Sequence, residues 1–242
     1  MGTFGLKRRI GCVGWGCGHA GHSDACREGI EERGDVTPRR PVEQPVFHCR
    51  VVAVSLVDVT APRRTFVIPD DPADRLWRRR TAARVVILDR QDRILLFCDT
   101  DPGYPDRHWW VTPGGGIDPG ETERQAAVRE VAEETGLTIA ESDLIGPIAV
   151  RVVEHGFSDQ VLHQHETFFL VRVDAFTPDD SSFTAEEQVT LVGNRWWTTD
   201  ELATTQEWIW PRQLLELVEH AGHDGADPVD LGLVTEESTL PV

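Results

Sequence analysis

Residues 115–137 constrain this chain most, because a glycine-rich turn leads directly into a helix signal that is rich in acidic side chains. Thr122 is a suitable N-cap for that helix, and Gln125 three residues later completes a capping box. Gly136 can take the left-handed conformation in which many helices end. The pattern therefore predicts a helix over residues 123–135.

The acidic side chains of this predicted helix fall on one side when residues are placed at 100° intervals. Four carboxylates share that side: Glu123, Glu130, Glu133 and Glu134. Like charges at this spacing repel one another, whereas a divalent cation with oxygen ligands removes the repulsion. The helix spacing alone leaves two interpretations open, a metal site and a solvated acidic surface.

The full spacing of the segment resembles the Nudix box, in which a glycine is followed after five residues by a glutamate and after seven more by Arg-Glu-apolar-any-Glu-Glu-any-Gly-apolar. Every specified position carries the required residue: Gly115, Glu121, Arg129, Glu130, Val131, Glu133, Glu134, Gly136 and Leu137. Agreement at nine specified positions within 23 residues is a specific signal. The chain is therefore identified as a member of the Nudix hydrolase family.

This resemblance implies an α/β (α+β) fold, the Nudix-type α/β/α sandwich with a mixed β-sheet. It also implies hydrolysis of a pyrophosphate bond in a nucleoside diphosphate linked to another group, with water attacking phosphorus. The cofactor it implies is Mg²⁺ or Mn²⁺, and the partner is a small nucleotide-type substrate. The alternative from another class is a non-catalytic Nudix-fold sensor that binds a nucleotide without turning it over.

The resemblance also implies a role for each residue of the box. The expected metal ligands are three carboxylates and one carbonyl oxygen: Glu130, Glu133, Glu134 and Gly114. Glu121 and Arg129 are expected to orient this set. The identity of the general base stays open between a box glutamate and one of Glu166, Glu186 and Glu187. Glu187 is the preferred candidate.

Substrate contacts outside the box are suggested by aromatic and basic residues. Trp109 and Trp110 are neighbours on a predicted strand, so their rings face opposite sides. Either one ring stacks on a base or both pack in the core. Arg107 and Arg151 are candidates for phosphate contacts. The sequence does not choose among nucleoside triphosphates, nucleotide sugars and related compounds.

The regions around the box are predicted from turn signals and from runs of β-branched or apolar residues. Strands are predicted over 46–57, 84–89, 94–98, 109–112, 148–153, 167–173 and 189–197, and helices over 70–80, 200–207 and 211–220. The domain organisation has four parts, a poorly ordered leader (1–45), an extension with a strand and a short helix (46–80), the Nudix domain (81–222) and a mobile acidic tail (223–242).

Composition narrows the possible partners and compartments. The net charge of −17 disfavours nucleic acid as a partner. The chain contains no apolar run near the ~20 residues that a membrane helix needs, so no membrane partner is expected. Five cysteines, an odd number, argue against a disulfide framework. The sequence therefore predicts a cytoplasmic protein, and it leaves a homodimer open.

The N-terminal leader contains cysteine and histidine residues that raise the question of a zinc module. The candidates are Cys12, Cys17, His19, His22 and Cys26. Structural zinc sites usually draw their ligands from two closely spaced pairs, and these gaps do not follow that pattern. A leader without a metal is therefore the prediction, with the zinc module as its alternative.

Overall fold

The computed structural model describes residues 64–223 and 227–237. The leader predicted over residues 1–45, its five candidate zinc ligands and the strand predicted over residues 46–57 lie outside these residues. Within the described ranges, no helix is both long enough and apolar enough to cross a bilayer.

A mixed sheet of nine strands forms the centre of the described part of the chain. The strands are β1 (Leu76–Leu88), β2 (Ile94–Asp101), β3 (Tyr104–Val111), β4 (Gly114–Gly116), β5 (Ile145–Gly156), β6 (Gln160–Arg172), β7 (Leu191–Trp197), β8 (Ile209–Trp210) and β9 (Val229–Glu237). Seven follow the order β8-β3-β2-β1-β6-β5-β9, while β4 pairs with β1 and β7 with β2. The pairs β1–β6, β3–β8 and β5–β9 are parallel and the others antiparallel.

Among residues 64–223 and 227–237, four α-helices accompany this sheet and cover both of its faces. They are α1 (Glu123–Thr135), α2 (Glu187–Thr190), α3 (Thr199–Thr204) and α4 (Leu214–Ala221). Because side chains alternate along a strand, Val85 and Ile87 of β1 face the apolar cluster that includes α1. Val86 and Leu88 face the opposite cluster, to which α3 and α4 contribute. The predicted α/β/α fold class is confirmed.

Helix α1 has the bounds and the caps that the sequence predicts. The Thr122 side chain accepts a hydrogen bond from the Gln125 backbone, and the Gln125 side chain accepts one from the Thr122 backbone. Gly136 follows the helix at φ 72°, a left-handed conformation that favours glycine. The helix that carries the acidic residues is therefore specified by its own local sequence.

The predicted helix over residues 70–80 is wrong. Only Pro72–Asp74 is helical, as one 3₁₀ turn capped by Asp71. From Leu76 onwards the chain belongs to β1, which pairs with β6 along its whole length. Strand pairing overrides the helix signal here, because strand preference depends on the neighbouring strands rather than on the local sequence.

The acidic tail predicted over residues 223–242 contains a strand that its sequence pattern does not indicate. Strand β9 pairs in parallel with β5 and has a register shift opposite Arg151. Gly232 lies in that shift at φ 69°, where a β-bulge with a left-handed glycine changes the direction of the following side chains. Glycine and acidic residues are rare in strands, which explains why the pattern does not reveal it.

A buried ion pair connects the first described residue to the sheet. The Arg64 guanidinium contacts the Asp101 carboxylate at 2.8 Å and the Asp159 carboxylate at 2.7 Å. Asp101 also accepts hydrogen bonds from the backbone and the hydroxyl of Ser158. Since all three charged side chains are almost fully buried, none of them can turn to water if a partner is lost.

Arg64→Ala should therefore lower the free energy of unfolding by about 3–5 kcal/mol, since it leaves two buried carboxylates without their cation. Urea unfolding followed by circular dichroism measures this loss. Arg90→Ala is the matched control, because Arg90 pairs with Asp174 on the surface and its loss should cost under ~1 kcal/mol. Equal losses in the two variants would contradict the prediction.

Candidate active site

A cavity of about 300 Å³ lies where α1 and α2 meet β1, β5 and β6. The glycine-rich turn that contains β4, which we call the β4 turn, also lines it. Its lining joins three chemical groups, namely carboxylates, arginines and aromatic rings. Carboxylates reach the cavity from α1, α2 and three strands, and arginines reach it from β1, β5 and α1. A concave site with converging charged groups of this kind is the usual place for ligand binding.

Three carboxylates of the cavity form one compact group, which we call the glutamate cluster: Glu130, Glu134 and Glu187. One oxygen from each lies within 4.8 Å of the others. Helix α1 supplies Glu130 and Glu134 one turn apart, so both point to the same side. Helix α2 supplies Glu187 from its first position. This geometry can place oxygen ligands around one divalent cation.

The cluster carries more negative charge than its surroundings easily stabilise. Burial, and then repulsion from Glu130, raise the pKa of Glu134 well above its usual range. Burial is also the main cause of a raised pKa at Glu130. A bound cation would stabilise the ionised forms and reverse both shifts. The donor set therefore fits a hard divalent metal ion.

The glycines before α1 leave space for this cluster. A Cβ atom on Gly115 would lie 2.7 Å from both carboxylate oxygens of Glu130. Gly114, at φ 131°, would bring a Cβ atom to 2.2 Å from the Ala83 carbonyl oxygen. The Gly114 N–H donates to the Glu134 carboxylate at 2.8 Å. The turn is thus in direct contact with the cluster only because it lacks side chains.

Arg129 links three glutamates of the box. Its guanidinium donates to Glu121 at 2.8 Å, to Glu130 at 2.8 Å and to Glu133 at 3.1 Å. The guanidinium also donates to the Gly116 carbonyl oxygen at 2.8 Å. The hydrogen bond from Arg129 is the main cause of the lowered pKa of Glu121. Arg129 and Glu121 are therefore placed to orient the cluster.

Glu133 is not among the three members of the glutamate cluster. Its side chain is 40% exposed and its carboxylate is held by Arg129, while Glu187 occupies the third position in the group. The carbonyl oxygen of Gly114, the other expected ligand, accepts a hydrogen bond from Arg84 at 2.6 Å. It lies on the turn beside Glu134, close to the cluster.

The three candidates for a general base have different surroundings. Glu187 belongs to the cluster and accepts a hydrogen bond from the Thr184 backbone at 2.7 Å. Glu186 accepts one from the Arg64 backbone at 3.1 Å. Glu166 is buried between Arg84 and Arg151; burial raises its pKa, but the two arginines together lower it to about 2. Only Glu187 therefore joins the cluster.

The candidate substrate residues lie in three different environments. Trp109 is fully buried and lines the cavity, and its indole N–H donates to Asp99 at 3.1 Å. Arg151 is buried and paired with Glu166 and Glu236. Arg107 is exposed, with its guanidinium 5.4 Å from the centre of the Tyr104 ring, and is not among the residues that line the cavity.

Sequence reasoning does not assign Arg80 and Arg84 to the site, although both line the cavity. Arg80 donates to the Gln164 side chain, and Arg84 donates to Gly114 and Glu166. A signal exists in retrospect, because residues 78, 80 and 84 are arginines separated by even numbers. On a strand, this spacing places all three on one face.

The site therefore consists of a carboxylate cluster, two members of which lie on the capped helix α1, beside a glycine-rich turn. Residues 78–218 match the family model described as the NUDIX domain. The chain belongs to the Nudix family.

Individual relatives match shorter regions. An uncharacterized Nudix hydrolase of Bacillus subtilis is 32% identical over 41% of this chain and 58% of its own length. Human diphosphoinositol polyphosphate phosphohydrolase 3-alpha is 43% identical over 25% of this chain and 35% of its own. Erythrobacter litoralis RNA pyrophosphohydrolase is 40% identical over 31% of this chain and 45% of its own length. The chain thus spans a third to three fifths of these relatives.

Solved structures with a similar fold include a NUDIX hydrolase from Nitrosomonas europaea. It is 23% identical, with a TM-score of 0.45, and the match covers 62% of this chain and 92% of that one. The MutT protein from Methanosarcina mazei is 18% identical, with a TM-score of 0.41 and coverage of 60% and 93%.

Glu134→Gln should stabilise the metal-free protein at pH 7.5 and weaken metal binding. Because the pKa of Glu134 is raised in the folded protein, its ionisation lowers the free energy of unfolding as the pH rises above the ordinary pKa of a glutamate. The neutral amide removes this loss, which is at least a few tenths of a kcal/mol. Loss of the charge should lower Mn²⁺ affinity by at least about tenfold.

Thermal unfolding without metal and isothermal titration calorimetry with Mn²⁺ measure the two effects. Glu216→Gln is the matched control, an exposed glutamate on α4 outside the cavity. Unchanged Mn²⁺ affinity in Glu134→Gln would exclude Glu134 as a ligand.

Proposed function

We propose that this protein hydrolyses a pyrophosphate bond in a small nucleotide-type substrate, with Mg²⁺ or Mn²⁺ as its cofactor. The observation that carries the proposal is the glutamate cluster, which combines two carboxylates of an intact box with Glu187 from α2. Family membership supports the reaction class. The printed names of relatives, which include an RNA pyrophosphohydrolase, support the same chemistry.

The residues that would hold the metal ion are Glu130 and Glu134 of the cluster, together with the carbonyl of Gly114 on the adjoining turn. When bound, the ion would polarise phosphoryl oxygens and neutralise the charge that develops as the bond breaks. Arg129 keeps the Glu130 carboxylate aimed into the cavity through its hydrogen bond. Glu133 accepts a hydrogen bond from the same guanidinium and so helps to hold Arg129 in this orientation.

The cavity also offers groups for the two ends of the substrate. Arg80 and Arg84 line the wall beside the cluster, where their charges would attract phosphate oxygens. The aromatic part of the lining includes Trp109, Phe157 and Trp210, which would pack against an apolar or aromatic leaving group. We therefore assign the phosphates to the cluster side and the remaining group to the aromatic side.

Glu187 is the group that we assign to the attacking water. It is the cluster carboxylate that does not belong to α1, and its backbone hydrogen bond from Thr184 fixes its position. A general base must lie within hydrogen-bond reach of the proton that it accepts, directly or through one water. The ion pairs of Glu166 make it a poor acceptor, because its pKa is about 2.

The reaction is tested by a phosphate-release screen over nucleoside triphosphates, nucleotide sugars and dinucleoside polyphosphates, each with Mg²⁺ and with Mn²⁺. We expect turnover of at least one class, and its loss when the metal is chelated. Tight binding of a nucleotide with no release from any class would instead favour the alternative, a Nudix-fold sensor.

Glu187→Gln should lower kcat by about 10²–10⁴, the usual cost of losing a general base. Its neighbour gives a matched control, because Glu186→Gln changes the same chemistry at a residue outside the cluster. The measurement is kcat on the best substrate across a range of Mg²⁺ concentrations. Full kcat in Glu187→Gln would exclude the base role, and a large shift in Mg²⁺ dependence would make Glu187 a ligand instead.

A further inference from the structure

A continuous row of buried charges connects the last described strand to the β4 turn. Glu236 of β9 binds the Arg151 guanidinium, with one contact at 3.2 Å. Arg151 of β5 in turn donates to Glu166 of β6 at 2.5 Å. Glu166 accepts from Arg84 of β1 at 2.9 Å, and Arg84 donates to the Gly114 carbonyl oxygen at 2.6 Å.

The row alternates in sign and crosses four strands of the sheet. Glu236, Arg151 and Glu166 have almost no exposed side-chain surface, and Arg84 keeps 18%. Buried ion pairs of this kind contribute little net stability, but breaking one is costly because the remaining charge stays buried. The geometry of the row is therefore fixed, and the loss of one charge changes the hydrogen bonds of the neighbouring residue in the row.

Arg84 is the member of the row that touches the active site. One side of its guanidinium is held by Glu166, and another nitrogen donates to the carbonyl oxygens of Gly114 and Thr112. These two oxygens belong to the turn that carries the Glu134 contact through Gly114 N–H. The position of Arg84 thus sets the position of the carbonyl of Gly114, the residue whose N–H contacts Glu134.

Strand β9 lies beyond residues 78–218, the part that matches the NUDIX domain. Its bulge at Gly232 comes before Glu236, whose backbone lies opposite His155 rather than Arg151. Glu236 is nevertheless aimed at Arg151 and is buried, whereas its neighbour Glu237 is exposed. The strand therefore brings one particular carboxylate to the row from outside the family region.

We propose that Glu236 is a positioning residue of the active site, which holds the Gly114 carbonyl in place for the metal ion through Arg151, Glu166 and Arg84. This inference rests on the proposed function, because it assumes that the Gly114 carbonyl is a ligand. It extends the functional unit to the C-terminal strand. Loss of the Glu236 charge leaves Arg151 with Glu166 alone, so Arg151 competes more strongly with Arg84 for that carboxylate.

Glu236→Gln should lower Mn²⁺ affinity by about three- to tenfold, less than the ~10–100-fold typical when a partner touches the ligand directly. The measurement is isothermal titration calorimetry with Mn²⁺ on the full-length protein, without substrate. Glu237→Gln is the matched control, since it removes the same charge from the next residue on the exposed face. It should bind Mn²⁺ like the unchanged protein.

A purely structural role predicts a different result. Glu236→Gln would then lower the Tm of the metal-free protein but leave Mn²⁺ affinity unchanged. Our proposal requires the affinity to fall at a temperature where the far-ultraviolet circular dichroism of the variant is native. At saturating metal, kcat should return to near the unchanged value, because the reacting groups themselves are intact.

A double-mutant cycle tests the route. If the effect passes through Glu166, Glu236→Gln should reduce Mn²⁺ affinity much less in a Glu166→Gln background than alone, since coupled sites are not additive. Additive losses would overturn the proposed route. Equal affinities in Glu236→Gln and Glu237→Gln would overturn the proposal, whereas no Mn²⁺ binding by the unchanged protein would overturn the proposed function instead.

Discussion

The burial of Glu130 and Glu134 is the constraint on which the rest of this site depends. Two carboxylates one turn apart on a helix repel each other, and burial strengthens the effect by removing water. The surrounding residues stabilise this charge with hydrogen bonds from several directions. Arg129 donates to Glu130, and the Gly114 N–H donates to Glu134. In the proposed function, a divalent cation would complete this arrangement.

The arginines of this protein do more than balance charge, because they connect the helix layer to the sheet. Arg129 binds the β4 turn through the Gly116 carbonyl oxygen. Arg84 binds the same turn from β1 through the Gly114 carbonyl oxygen. The turn is thus held from two sides by planar guanidinium groups, which fix direction as well as distance. A lysine at either position would keep the charge but lose that geometry.

Part of the site could be predicted because its information is local. Residues three and four apart on a helix must share a side, so the approach of Glu130 to Glu134 follows once the capped helix is recognised. The same holds for Arg129 and Glu133. The strands within residues 84–98 are also recoverable, because both are apolar runs separated by a polar turn. Where a pattern was ambiguous, as in the arginines at 78–80, the local signal favoured a helix and the sheet required a strand.

The sequence by itself determined the family, the helix that carries the acidic residues and the glycines that make room for them, since all of these depend on fixed spacings over 23 residues. Only the tertiary structure decided which distant groups complete the site. It brings Glu187 to the cluster, pairs Arg151 with Glu166 and brings Glu236 to Arg151, 85 residues away in the chain. No local period encodes such contacts, because they join elements that meet only when the sheet and its helices assemble.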